Sequence, residues 1–138
     1  SVPVINRVFH ITYHLNDGAA FSVLSGKTVF LTVISLVIMA AIAAYIIIKK
    51  PKNNLLLLSL TFILSGATGN FIDRVASGAV VDFLDFRLIN FPVFNIADCF
   101  VVIGGALLFL YILKYSENDD KRDDKKNEGE MSDGKKDV

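Results

Sequence analysis

The sequence predicts an all-α polytopic membrane protein, a bundle of transmembrane helices, and three observations carry that prediction. Apolar residues make up 53% of the chain, only slightly more than in a soluble domain, yet they are gathered into long runs instead of stripes. Residues 28–48 contain no charge over 21 positions, and residues 55–72 and 94–113 are similar apart from a few polar side chains. A helix rises ~1.5 Å per residue, so about 20 residues cross a hydrocarbon layer of ~30 Å, and each of the three runs is long enough.

The 138 residues suit one domain, and the single Cys99 excludes an internal disulfide. The formal charge is zero, but nine of the fourteen acidic residues fall in 117–137. Only Asp17, Asp73, Asp82, Asp85 and Asp98 remain to supply carboxylate chemistry in the ordered part.

Residues 1–25 alternate roughly between apolar and polar up to Asn16-Asp17-Gly18, a turn signal, and predict a short extended segment or hairpin lying against the membrane surface. On its own that tripeptide reads as a tight turn. His10 and His14 share a face in either a strand or a helix, but with no Cys or third His nearby they do not form a metal site.

The first span, 28–48, ends at Lys49, Lys50, Pro51 and Lys52, and three lysines in a short loop place it in the cytoplasm. It follows that 1–27 and 75–91 lie outside and the residues after Lys114 inside. An exported amino-terminal segment that starts with Ser leads us to expect one more membrane helix before Ser1.

The second span covers 55–74. Its Gly66, Gly69, Asn70, Asp73 and Arg74 recur at spacings of three and four and so share one face. The glycines allow a neighbouring helix to approach closely, while Asn70 and Arg74 taken singly read as helix-knitting or snorkelling residues. Next, 75–91 carries Val, Phe and Leu with Asp at every third place, which suits a short strand or a surface-lying turn. Asp85 reads as a solvated charge paired with Arg87.

Pro92 stops any preceding helix, and the third span begins at about Asn95, where Asn95 and Asp98 have the pattern of a helix cap with an acid in the first turn. Asp82 and Asp98 thus stand at the outer ends of adjacent spans. Two carboxylates held near each other at the edge of low dielectric cannot both ionise easily, so one keeps its proton, and such a pair offers a base and an acid together. Asp73, one turn inside the second span's end, is suited to orienting the helix termini. Residues 116–138 are charged, offer almost nothing to bury and are expected to be disordered.

Four segments together give the chain a resemblance to a known family: Asn16-Asp-Gly-Ala-Ala-Phe21, Gly66-Ala-Thr-Gly-Asn-Phe-Ile-Asp-Arg74, Val80-Val-Asp-Phe83 and Phe94-Asn-Ile-Ala-Asp98. The chain resembles the lipoprotein signal peptidases, the type II bacterial signal peptidases, essentially from Ile5 to Lys114. The resemblance implies a multi-pass aspartyl endopeptidase of the bacterial cytoplasmic membrane, with its active site at the outer face and its carboxyl-terminal tail cytoplasmic. Its substrate would be a prolipoprotein, cut just before a cysteine already carrying diacylglycerol. The catalytic roles would fall on Asp82 and Asp98. Asn70, Arg74, Asn95 and Ala97 would line or orient the site. Asn16, Gly18 and the two alanines after it would belong to a small extracellular β-cradle bordering the substrate groove. Residues 1–115 would then form the membrane-embedded peptidase domain, and family members begin with a further span, in keeping with the helix expected before Ser1.

The chemistry asked of such a pair requires no cofactor and no metal, and its partners are the prolipoprotein and membrane lipid, with no nucleic acid. A metalloprotease is disfavoured because there is no His-Glu-x-x-His. Two other classes stay open on the residues alone. One is a small proton- or cation-coupled transporter subunit that uses the carboxylates as a relay, though the spans lack the internal symmetry it predicts. The other is a passive scaffold.

Overall fold

The structure is a computed structural model, which describes residues 1–18 and 26–133, with side chains as far as residue 115. Its elements, in chain order, are strands β1 (Val2–Ile5) and β2 (Phe9–Asn16), helices α1 (Thr28–Lys49) and α2 (Asn54–Ser77), strand β3 (Val80–Phe86) and helix α3 (Ile96–Asp133). A short 3-10 turn, Arg87–Ile89, follows β3.

Among the described residues, three helices are long and apolar enough to cross a membrane: Thr28–Lys49, Asn54–Ser77 and the Ile96–Tyr115 part of α3. The first two contain their predicted runs, the third starts slightly later than its run, and the caps of α2 show how its ends are set. Asn53 accepts hydrogen bonds from the N–H groups of Leu55 and Leu56 and so starts α2. At the other end Gly78 takes a left-handed backbone, φ 74°, and returns its N–H to the Arg74 carbonyl. Helix α3 runs in backbone to Asp133, past the boundary expected at residue 115.

The buried face of α2 carries Leu56, Ser59, Leu60 and Gly66, spaced as one helical stripe. Helix α3 packs antiparallel along it at very short range. A Cβ on Gly66 would come 2.3 Å from the Ala97 carbonyl oxygen, and one on Gly104 would come 2.8 Å from the Ser59 carbonyl oxygen. Gly66 thus does what its spacing predicts, while Gly104, on the facing helix, supplies the second close approach. Phe62 stacks on Phe100 between these points, at 5.0 Å. Helix α1 packs on α2 but buries no residue of its own. One face of it lies half-buried against α2, and its other apolar side chains face outward, a surface stable in lipid and not in water.

The expected extended segment is a hairpin, β1 with β2, and β3 joins it to give an antiparallel sheet in the order β1-β2-β3. The hairpin turns at Arg7, φ 62°. Beyond β3 the chain folds back so that Phe94 bridges Leu84. There the N–H groups of Phe83 and Leu84 both donate to the Phe94 carbonyl, at 2.9 and 2.8 Å, as in a β-bulge. Phe9, Phe86, Phe94 and Phe91 form a chain of ring contacts, with centroids 4.8 to 5.9 Å apart, that ties the sheet to this return.

Candidate active site

Four elements converge at one end of the α2–α3 pair. From α2 come Asn70, Asp73 and Arg74, from β3 Asp82, from the start of α3 Asn95 and Asp98, and from the end of β2 Asn16. The turn at Gly78 sends the chain from α2 straight into β3, and Asp73 fastens the joint by accepting the Val81 N–H at 3.1 Å. The sequence suits Asp73 to orienting helix termini, whereas its side-chain contact here is with strand β3.

Asp82 is 1% exposed, with Ser59 the most deeply buried of the described side chains. One of its oxygens accepts from Asn16 Nδ2 at 2.9 Å and the other from Asn95 Nδ2 at 2.8 Å. Asn95 Nδ2 also donates to Asn70 Oδ1 at 3.0 Å, and Asn70 Nδ2 donates to Asp98 Oδ1 at 2.7 Å. The two carboxylates are therefore joined by a relay of two carboxamides.

Asn95 and Asp98 also cap α3. Asn95 Oδ1 accepts the Asp98 N–H at 2.9 Å, and Asp98 Oδ2 accepts the Asn95 N–H at 3.2 Å, a reciprocal capping box. The cap and the site are thus one device: the hydrogen bonds that start the helix also fix Asp98.

Burial pushes the Asp82 carboxyl above its ordinary value. The amide donors of Asn16 and Asn95 oppose that rise, and the neighbouring charge of Asp98 adds to it. A carboxyl group pulled both ways holds or releases a proton with small changes around it, as acid–base chemistry requires.

Asn16 makes two contacts. Its Oδ1 accepts the Gly18 N–H at 2.9 Å, making the expected tight turn, while its Nδ2 faces Asp82. The Gly18 carbonyl in turn accepts from Arg74 Nη2 at 3.1 Å, so the turn is tied to α2, while Arg74 Nε is buried with no hydrogen-bond partner among the described residues. Ala19 and Ala20 lie outside the described residues. Ala97 sits where Gly66 and Gly69 meet α3, and its place is in the helix contact that sets the spacing of Asn70 and Asp98.

Asp85 differs from its expectation. It does pair with Arg87, at 2.9 Å, but it is 8% exposed and not a solvated charge. Thr12 Oγ1 also donates to it, at 2.7 Å, and the hydroxyl and the guanidinium together hold its carboxyl below the ordinary range. It belongs to a polar cluster with Ser1, His10 and Thr12. A run of Asp at every third place gives no sign of this, because the irregular pairing that buries both Asp82 and Asp85 is a tertiary feature.

Asn16, Asn70, Arg74, Asp82 and Asp98 line the polar end of a groove of about 390 Å³. The rest of its wall is apolar, from Phe91, Pro92 and Val93 before α3 and Val101 and Val102 on α3. Of these, the sequence singled out only Pro92, as a helix stop, because a membrane span is apolar throughout.

The family model described as signal peptidase (SPase) II matches residues 1–114. The chain is 48% identical over 110 residues to a lipoprotein signal peptidase of Brevibacillus brevis, covering 80% of this chain and 74% of that one. It is 50% identical over 116 residues to a lipoprotein signal peptidase of Caldanaerobacter subterraneus, covering 83% and 78%. A solved structure described as a bacterial membrane enzyme, obtained by the in meso method, superposes with a TM-score of 0.79 at 40% identity, over 86% of this chain and 73% of that one.

Proposed function

This chain belongs to the signal peptidase II family, and from that premise we propose that it is a membrane aspartyl endopeptidase cleaving the signal peptide from prolipoproteins. The observation that carries the aspartyl assignment is the relay joining Asp82 and Asp98 at the polar end of an otherwise apolar groove.

In this reading the scissile peptide lies across the two carboxylates. One takes a proton from a water molecule, whose oxygen attacks the carbonyl carbon, while the protonated partner donates to the carbonyl oxygen. Collapse of the tetrahedral intermediate expels the amine, which takes a proton from the pair, so no cofactor enters the balance. The macroscopic titration belongs to the pair and not to either residue. Asn70 and Asn95 hold the carboxyl groups in register, Asn16 donates to Asp82, and Arg74 and the Gly18 turn close the polar end.

The apolar wall suits a substrate that arrives from the bilayer, a signal helix followed by a diacylglyceryl-modified cysteine, with the cut just before that cysteine. The sheet and the active site then lie at the outer face of the cytoplasmic membrane, and the Lys49 to Lys52 loop and the tail lie inside. The same reading includes a fourth, amino-terminal span and assigns Gly18 and Ala97 to orientation of the site. A proton-coupled carrier draws no support from a peptidase family match.

Incubation of the protein in detergent with a diacylglyceryl-modified precursor, followed by mass spectrometry, tests the proposal. Two products divided at the lipidated cysteine are expected. An uncut precursor, or a cut elsewhere, would remove it.

A further inference from the structure

Both histidines of the chain stand opposite an aspartate across the β2–β3 pairing, His10 opposite Asp85 and His14 opposite Asp82. The histidines are four positions apart and the aspartates three, so regular strands would not align both pairs. A register shift between Ile11 and His14 reconciles the two spacings.

The two pairs differ in their surroundings. His10 is buried, with Nδ1 3.3 Å from Ser1 Oγ, and Asp85 opposite it is already held by Thr12 and Arg87. His14 is exposed, and opposite it is the most buried carboxylate of the site. Residues directly opposed in an antiparallel pair project on one face with Cβ atoms about 5 Å apart. An imidazole at that place is open to water on one side and within reach of the Asp82 field on the other. Histidine in general changes charge between about pH 5 and 8.

We propose that His14 is a positioning residue for the reaction at this site: its protonated form holds Asp82 as the carboxylate and so sets the pH at which the pair becomes active. The consequence for activity rests on the peptidase reading, whereas the coupling of His14 to Asp82 stands without it. The other titratable groups around Asp82 are Asp98 on α3 and Asp73 and Arg74 on α2, with Asp17 just beyond the end of β2. Of those that act on Asp82, a protonated His14 lowers its affinity for a proton and Asp98 raises it. Strand β1 ends its pairing at Ile11, short of His14, so the β1 strand does not screen it.

The test is a carboxyl carbon NMR titration of Asp82 in the full chain in micelles at low ionic strength, with the resonance assigned from Asp82→Asn. His14→Gln should raise the Asp82 midpoint by about half a pH unit, the effect of one charge at such a distance in water. His14→Arg should leave the midpoint at or below that of the parent protein. The acid limb of kcat/KM for a diacylglyceryl-modified precursor should move in the same way. Identical midpoints in the three proteins, or equal shifts in both variants, would overturn the proposal. Coupling without any cleavage would instead sink the peptidase reading while confirming that His14 acts on Asp82.

Discussion

Asn95 is the residue on which the site turns, because it does three things at once: it caps α3, bridges to Asn70 and donates to Asp82. Substitution by Ser separates these roles. Asn95→Ser and Asn95→Ala both leave the buried Asp82 without one donor, at a cost of about 1–3 kcal/mol, but serine caps a helix about as well as asparagine, so Ala should be the less stable of the two by about a further 1 kcal/mol. A serine hydroxyl is too short to span Asn70 and Asp82, so cleavage should fall at least about tenfold in both variants, equivalent to ~1.4 kcal/mol in the barrier. Thermal unfolding and initial rates on the same preparations check this. Asn95→Ser with full activity would show that the bridge is not used. At this scale the sequence singled out residues that the structure brings together and said less about how they join. Asn95-x-x-Asp98 is legible as a cap and also as part of a site, and the structure makes the two readings one. Asp85 was misread as solvated because its burial depends on Thr12, 73 positions away.

Among the elements, the close contact of α2 with α3 sets the distance between Asn70 and Asp98. Gly66→Ala would drive a methyl group into the Ala97 carbonyl, so the helices must separate. The expected cost is ~1–3 kcal/mol in thermal unfolding, accompanied by a loss of cleavage. Gly105→Ala, which meets nothing within 4 Å, should be silent in both measurements. The sheet has its own pH signature. The Asp85 carboxyl is held below its ordinary value of 3.8, so the stability it contributes is present above that value and is lost as pH falls through the lowered one. Asp85→Asn should cost about 1.5–3 kcal/mol at neutral pH and flatten this part of the acid-side decline in the unfolding midpoint. Asp82 has the opposite sign: its raised value makes burial of the carboxylate less favourable as pH rises from 3.8 towards it. The spans were legible from run length alone, and their ends to within a turn. The joining of β2 to β3 was not, since it depends on pairing across more than sixty positions and on a register shift that no local pattern announces.

For the molecule as a whole, the arrangement separates two tasks. A helix pair locked by glycine contacts holds the carboxylates, while an outward-facing α1 and an apolar groove offer surfaces to lipid and to a lipid-borne substrate. Topology can be tested directly: single cysteines placed at Lys50 and at Tyr13, in a Cys99→Ala background, should react with a membrane-impermeant thiol reagent from opposite sides of sealed vesicles. Labelling of both from one side would contradict the orientation proposed from the lysine loop. The central claim is that Asp82 and Asp98 act together as the hydrolytic pair, and the initial rate of precursor cleavage by the parent protein, Asp82→Asn and Asp98→Asn, each confirmed as membrane-inserted, tests it most directly. A loss of at least about 10²-fold is expected in either variant, the scale of a missing general acid or base. Cleavage by either one within a few-fold of the parent rate would contradict it.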